Sequence, residues 1–152
     1  MLAGPIKLFG KSGPGVIISG TDDLIKSASN SVATTFQLVV CRAVDTVPQN
    51  LRHLCYSLMD SSRPGWYARH DTFYLRIDEE AFSGNIPLFK QDCSFFLHTD
   101  MFYPGYYAFE SLNLPNHYIW FRNDGVLMIE PLVNNAAYHD SASWSISVIP
   151  WM

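Results

Sequence analysis

The segment PGWYARHDTFYLRIDE at 64–79 concentrates side chains that could contact a ligand. It carries aromatic residues, two arginines and His70 within a strand-like alternation. A neutral imidazole can donate or accept a hydrogen bond, and an aromatic ring can cover the apolar face of a ligand. Because the same residue types also suit an edge of a β-sheet, the segment must be interpreted together with the elements that surround it.

The other polar clusters of the sequence give little support for catalysis or metal binding. The carboxylate run at 78–80 is typical of a solvated turn at the end of a strand. The remaining histidine and acid groups lack metal-ligand spacing: His98 and Asp100; His117, His139 and Asp140. The sequence contains no nucleophile elbow, phosphate loop or dinucleotide motif. We therefore expect no enzymatic activity, no metal and no cofactor.

The composition indicates one all-β domain. The 152 residues are 48% hydrophobic, 16% charged and 14% aromatic, which excludes disorder and suits pleated, half-buried surfaces. The formal net charge of −4 disfavours nucleic acid or an anionic membrane as a partner. No apolar stretch approaches the roughly 18 residues needed to span a bilayer, and residues 1–15 show no signal-peptide pattern.

The three cysteines, Cys41, Cys55 and Cys93, form no C-x-x-C pair and no metal spacing. The burial habit of cysteine favours free thiols in the interior. One disulfide with an unpaired third cysteine is the alternative.

Three prolines about 50 residues apart mark one repeated hairpin plan: Pro14, Pro64 and Pro115. Apolar positions follow each anchor after three residues: Ile17, Tyr67 and Tyr118. The returning strands are expected to begin after polar turns at Leu24, Leu75 and Leu127.

Each repeat also has an opening and a closing strand. The opening strands are predicted at 6–10, 53–58 and 106–112. The closing strands are predicted at 33–40, 92–99 and 141–149, with Phe36, Phe95 and Trp144 equivalent. Almost nothing has helical periodicity, and the join at 41–53 is interpreted as an insertion or a flexible linker.

Three repeats of four strands, about 5–45, 51–100 and 104–150, predict a single β-trefoil domain over 1–152. A β-sandwich is the alternative, but it would leave the threefold pattern unexplained.

Several segments resemble the AbfB domain, a carbohydrate-binding β-trefoil found beside arabinofuranosidases. They are GWYARHDTFYLRID, DCSFFLHT, YYAFESLNLPNHYIWFRNDGVLMIE and SASWSI. The family repeat reads approximately S-x-N-x-P-x-x-Y-[IL]-R-H, then L-x-[LI]-D, then D-A-[ST]-F. The similarity covers residues 6–149 and is weakest in repeat one. Similar domains also occur in secreted, cysteine-rich glycoproteins related to mucins, such as the otogelins.

The resemblance implies a shallow sugar pocket in each repeat, with the motif His and the motif Asp as polar ligands. Repeat two retains both groups, as His70 and Asp92. The corresponding positions elsewhere are occupied by other residue types: Phe121 and Ser141 in repeat three, Gly20 and Ala33 in repeat one. We therefore expect one pocket.

Strand alternation predicts how the remaining pocket candidates are arranged. Trp66, Ala68 and His70 should share one strand face, and Tyr67 and Arg69 the other. Tyr67 is expected to lie in the core, and Trp66 is expected to be an exposed platform for a sugar ring. The predicted sugar-binding set is thus His70, Asp92, Trp66, Tyr67 and Arg69.

Two functions are compatible with these features. The first is a noncatalytic, extracellular module that binds a terminal sugar of a polysaccharide or glycan, such as arabinofuranose. The second is a structural or protein-interaction trefoil of a mucin-like matrix glycoprotein, with a decayed sugar site and neighbouring domains of a larger secreted protein as partners. The catalytic carboxylates of the arabinofuranosidases belong to a separate domain, so the chain is not expected to be an arabinofuranosidase.

Overall fold

The computed structural model describes residues 4–11, 13–19, 22–27 and 33–149. Repeat one contributes strands β1 (Gly4–Gly10), β2 (Val16–Ile18), β3 (Ile25–Ser27) and β4 (Phe36–Val40). Repeat two contributes β5 (Cys55–Asp60), β6 (Trp66–Asp71), β7 (Tyr74–Glu79) and β8 (Phe95–Thr99). Repeat three contributes β9 (Tyr107–Ser111), β10 (His117–Phe121), β11 (Leu127–Pro131) and β12 (Trp144–Val148). Helices α1 (Ile86–Asp92) and α2 (Ala136–Ser141) precede β8 and β12.

The strands form a closed barrel and three hairpins. An antiparallel ring runs β1–β4–β5–β8–β9–β12 and returns to β1. The remaining strands pair as β2–β3, β6–β7 and β10–β11. Six barrel strands and three hairpins related by a threefold repeat define a β-trefoil, which confirms the predicted fold class and excludes the sandwich.

The main core fills the barrel and receives one face of every hairpin. Phe36, Phe95 and Trp144 are at most 1% exposed, which confirms their predicted equivalence. Ala68 and Ile119, four residues after their anchoring prolines, lie in the same core. The anchor-plus-three positions Tyr67 and Tyr118 are also buried, but they belong to satellite clusters outside the barrel.

The three hairpins are joined at their turns by equivalent hydrogen bonds. Each hairpin turn has a residue with positive φ at an equivalent position: Asp23 at 57°, Phe73 at 71° and Gly125 at 88°. The carbonyl oxygen of each accepts a backbone N–H from the next hairpin: Ile77 to Asp23 at 2.9 Å, Ile129 to Phe73 at 2.9 Å and Ser27 to Gly125 at 2.7 Å. These bonds join the hairpins into a ring of three.

Two details of the predicted strands are wrong. In repeat one the buried position of the returning strand is Ile25, 1% exposed, and Leu24 is only half-buried. The closing strands begin at Phe95 and Trp144 because α1 and α2 occupy the preceding residues. Both helices begin after an asparagine cap, Asn85 or Asn135, whose side-chain oxygen accepts a backbone N–H.

Among the described residues, neither helix has the length and apolar character that a membrane span requires.

The segment between repeats one and two is ordered, which corrects its interpretation as a flexible linker. It contains 3₁₀ turns at Val44–Thr46 and Gln49–Leu54 and is closed by a disulfide between Cys41 and Cys55. The preference for three free thiols is therefore wrong for this pair and right for Cys93, which is free and buried. In the chain-entropy view, closing a loop of about 15 residues contributes about 3 kcal/mol.

The turn of repeat three provides a test of the ring of hairpins. A Cβ added at Gly125 would lie 2.8 Å from Ser27 Oγ and 3.4 Å from Ser27 O, whereas one added at Gly84, φ 82°, would meet nothing within 4 Å. We expect Gly84→Ala to lower the free energy of unfolding by about 1 kcal/mol through its backbone alone. Gly125→Ala should lower it by at least about 2 kcal/mol because it also disturbs Ser27. Equal losses in urea unfolding would contradict the assignment.

Candidate functional site

The two polar residues retained in repeat two approach each other at the boundary with repeat three. His70 lies on β6 and Asp92 is the last residue of α1. Both are buried, at 7% and 8% exposure, and His70 Nε2 lies 3.5 Å from Asp92 Oδ1. The structure therefore brings together the pair that the family motif predicted, although Asp92 lies on a helix rather than on the closing strand.

A third residue, Asn113, joins this pair. His70 Nε2 is 2.7 Å from Asn113 Oδ1, and Asn113 Nδ2 donates to Asp92 Oδ1 at 2.7 Å. Ser111 Oγ donates to Asn113 Oδ1 at 3.1 Å and accepts the backbone N–H of Leu114 at 3.2 Å. We call His70, Asn113 and Asp92 the polar triad.

The sequence analysis did not select Asn113, although a signal for it was present. Ser111 and Asn113 are the Ser and Asn of S-x-N-x-P in repeat three, which ends at the anchor Pro115. The polar triad spans adjacent repeats, so its third member belongs to the repeat after the one that carries His70. A search confined to one repeat could not find it.

The hydrogen bonds define the tautomer of the neutral imidazole. Because the amide oxygen of Asn113 only accepts, His70 Nε2 must carry the proton and Nδ1 is an acceptor when the ring is neutral. Within the described part of the chain, neither His70 Nδ1 nor Asp92 Oδ2 makes another side-chain hydrogen bond. These two acceptor atoms remain for a ligand that carries hydroxyl groups.

Ser57 of β5 links the end of α1 that carries Asp92 to the disulfide-closed segment. Ser57 Oγ donates to the Cys93 carbonyl at 2.7 Å and accepts the backbone N–H of Arg42 at 3.0 Å. Arg42 also forms a two-bond ion pair with Glu80 at 2.8 and 2.9 Å. This ion pair lowers the pKa of Glu80, the hydrogen bond from Arg42 being the main cause. The carbonyl of Cys93 is thus held by Ser57, and the side chain of the preceding Asp92 is held by Asn113.

The other predicted sugar ligands lie outside the polar triad. The side chain of Tyr67 packs with Phe89 and Cys93 beneath α1. Arg69 donates to Asp78 Oδ2 at 2.8 Å. Trp66 is half-buried, with the Arg63 guanidinium carbon 4.2 Å from its ring centroid. Trp66 and Arg69 line a separate surface cleft, to which neither His70 nor Asp92 contributes.

In repeat three an aromatic ring replaces the pocket. Phe121, at the position of His70, packs against Trp144 with ring centroids 5.9 Å apart. A Cβ added at Gly10 would lie 3.4 Å from Phe121 Cε1. Gly10 stands four residues before its anchor Pro14, as Ser111, which donates to Asn113, stands before Pro115. The residue beside the Phe121 ring therefore carries no side chain. Ser141, at the position of Asp92, ends α2.

In repeat one the structure describes only part of the corresponding site. Gly20, at the position of His70, lies outside the described residues. Ala33, at the position of Asp92, is described and carries no polar side chain.

The carboxylate run at 78–80 is built into the structure through ion pairs. Asp78 Oδ2 accepts from Arg69 and from Arg76, each at 2.8 Å. Glu80 pairs with Arg42. Two of the three carboxylates, Asp78 and Glu80, are thus engaged in ion pairs within the fold.

These features define a β-trefoil with a polar site between repeats two and three. The sequence matches the family described as "Alpha-L-arabinofuranosidase B (ABFB) domain" over residues 25–146. Because the match covers most of the chain, the chain belongs to the AbfB family, as its motifs predicted. The family comprises carbohydrate-binding domains, which supports a carbohydrate-binding module as the class of function.

Solved structures share the fold at low identity. A GH54 α-L-arabinofuranosidase aligns with a TM-score of 0.71 and 18% identity, over 97% of this chain and 32% of its own. A GlcNAcα1-4Gal-releasing endo-β-galactosidase from Clostridium perfringens gives 0.68 and 14%, over 97% and 33%. The designed threefold-symmetric protein ThreeFoil gives 0.64 and 14%, over 95% and 99%. The chain thus spans about a third of the arabinofuranosidase it matches, and a search of the curated proteins gave no match.

Removing the central member of the polar triad should destabilise the fold. Asn113→Ala leaves the buried His70 and Asp92 without their bridge, and we expect a loss of about 2 kcal/mol in the free energy of unfolding. The matched control is Asn134→Ala, since Asn134 is exposed, and it should change stability by less than about 0.5 kcal/mol. Equal losses in the two variants would show that the triad contributes nothing to stability.

The thiol beside Asp92 should be unreactive in the folded protein. Burial raises the pKa of Cys93 to about 12, so at about pH 8 the thiol remains protonated and is not a nucleophile. We expect mass spectrometry to detect no iodoacetamide adduct on the folded protein and one adduct after unfolding in urea without reductant. Equal alkylation rates in the two states would contradict this burial.

Proposed function

We propose that this protein is a noncatalytic carbohydrate-binding module that holds a terminal sugar, such as arabinofuranose, at one pocket in repeat two. The observation that carries the proposal is the polar triad, whose members are held in place from two repeats. The pocket residues are His70, Asp92 and Asn113. Trp66, Tyr67 and Arg69 are not part of it, because their contacts lie elsewhere.

The chemistry of the free acceptor atoms suits a neutral sugar. Asp92 Oδ2 and His70 Nδ1 can each accept a hydroxyl proton, and the rest of the triad keeps both groups oriented before the ligand arrives. Preorganisation reduces the entropy lost on binding. A single small sugar nevertheless has few atoms to bury, so millimolar affinity is expected.

A noncatalytic role agrees with the distribution of carboxylates. Hydrolysis of a glycoside usually needs two carboxyl groups about 5–10 Å apart, one of them free to protonate the leaving group. Asp78 and Glu80 are engaged by arginines, and Asp92 is engaged by Asn113. In this proposal Asp92 binds a sugar hydroxyl and transfers no proton.

An extracellular location is supported by the disulfide. A bond between Cys41 and Cys55 is typical of secreted proteins, because the cytosol keeps thiols reduced. The same observation favours the second candidate, a structural or protein-interaction trefoil within a larger secreted, mucin-like glycoprotein. The two candidates differ in whether the polar triad binds sugar.

The test is a titration with methyl α-L-arabinofuranoside, preceded by a glycan array. We expect amide shifts at His70, Asp92 and Asn113 in the wild type, and their loss in His70→Ala and Asp92→Asn. The matched control is His98→Ala, since His98 also pairs with a carboxylate, Glu110 at 2.8 Å, but outside the pocket. It should bind like the wild type.

Array and titration results separate the two candidate functions. If the folded wild type binds no sugar in either experiment, the sugar pocket is rejected and the interaction module is favoured. Binding that survives in both pocket variants would place the sugar elsewhere on the molecule.

A further inference from the structure

A second, shallow cleft lies near the base of the β6–β7 hairpin and has a volume of about 240 Å³, just below the usual range for drug-sized ligands. Its lining is Trp66, Arg69, Asp78, Glu79, Phe82 and Ser83. Between Trp66 and His70 on the same strand face stands Ala68, which is fully buried. A sugar cannot lie along the strand between the two positions, so this cleft is separate from the polar triad.

Two aromatic side chains form part of the cleft wall. Phe82 is 83% exposed, more than any other large hydrophobic residue in the described part of the chain. The Arg63 guanidinium stacks on Trp66 at 4.2 Å, which holds the indole in place on the cleft wall. Leaving a phenyl ring this exposed beside an indole gives the cleft apolar surface that a ligand could cover.

The polar groups of the cleft leave one carboxylate uncommitted. Asp78 is neutralised by Arg69 and Arg76. Glu79 lies directly across from Trp66 in the β6–β7 register and makes no side-chain hydrogen bond or ion pair with any described residue. Ser83 Oγ is the one buried side-chain polar atom in the described ranges without a partner.

From these features we infer that the cleft is a second glycan-binding site, which takes one neutral sugar ring of an oligosaccharide. Such a ring presents an apolar C–H face to Phe82 and Trp66 and hydroxyl donors to Glu79. The free carboxylate of Glu79 opposes an anionic ligand, whereas Arg63 and Arg69 are already paired with Asp60 and Asp78. The charge pattern therefore disfavours an anion, and the aromatic wall beside a free acceptor suits a hydroxylated ring with an apolar face.

Two separate sites on one small domain would have a functional consequence. The inference does not depend on the pocket at His70, since the two share no residue. If both are occupied, the module binds two branches of one glycan or two neighbouring chains, and its apparent affinity for a polymer exceeds that for either sugar unit.

The cleft can be tested by observing the indole N–H of Trp66. The probes are xylotriose, galactotriose, cellotriose and arabinotriose, each titrated into ¹⁵N-labelled protein, with the resonance assigned from Trp66→Phe. We expect at least one trisaccharide to shift this resonance. The shift should persist in His70→Ala, and Phe82→Ala combined with Glu79→Gln should weaken binding by about tenfold or more.

Leu88→Ala is the matched control, because Leu88 is an exposed apolar residue outside the cleft, 47% exposed. It should bind the trisaccharides like the wild type. The inference is overturned if none of the four perturbs Trp66, or if the double variant binds as tightly as the control. A Trp66 shift that disappears in His70→Ala also overturns it, because the ligand would then reach the indole only from the other pocket. The two proposals can fail separately, because the absence of arabinofuranoside binding at His70 does not change the result expected for trisaccharides at Trp66.

Discussion

At the turn of each hairpin, a residue with positive φ offers its carbonyl oxygen to the backbone amide of the next hairpin. Two of these three residues, Asp23 and Phe73, are not glycine, and such a conformation costs about 1–3 kcal/mol each. The cost is offset because an isolated two-stranded hairpin is marginal in water, whereas three joined hairpins can press their apolar faces into the barrel. The turn contacts thereby set the orientation of β6, and His70 lies three residues before the turn carbonyl of Phe73.

The threefold arrangement places a potential pocket at the boundary between successive repeats. In the pocket after repeat two, the imidazole and carboxylate come from one repeat and the amide of Asn113 comes from the next. A change in one repeat can therefore be accommodated by the following one. The corresponding position after repeat three illustrates this, because Phe121 lies beside Gly10 of repeat one, where an added Cβ would touch the ring at 3.4 Å.

The repeated hairpin and the pseudo-threefold core could be predicted because they depend on local periodicity and on turn residues, which recur near Pro64 and Pro115 with similar spacing. Repeat one was misregistered at Leu24 because adjacent apolar residues at 24 and 25 give no alternation to distinguish them. The disulfide could not be inferred, since Cys41 and Cys55 meet only after the intervening 3₁₀ turns form. Asn113 was missed because the pocket combines two repeats, and the helix that carries Asp92 is too short to show periodicity.

The molecule contains an internal comparison that bears on why repeat two keeps polar groups. Burying an imidazole, an amide and a carboxylate carries a desolvation cost that hydrogen bonds only partly offset. The fold does not require that cost at this position, since Phe121 fills the corresponding space in repeat three and packs on Trp144. A triad kept for stability alone could be replaced by an apolar ring in the same way. What a ring cannot supply is a pair of oriented acceptors, His70 Nδ1 and Asp92 Oδ2, the two atoms at which the proposed function places the sugar hydroxyls.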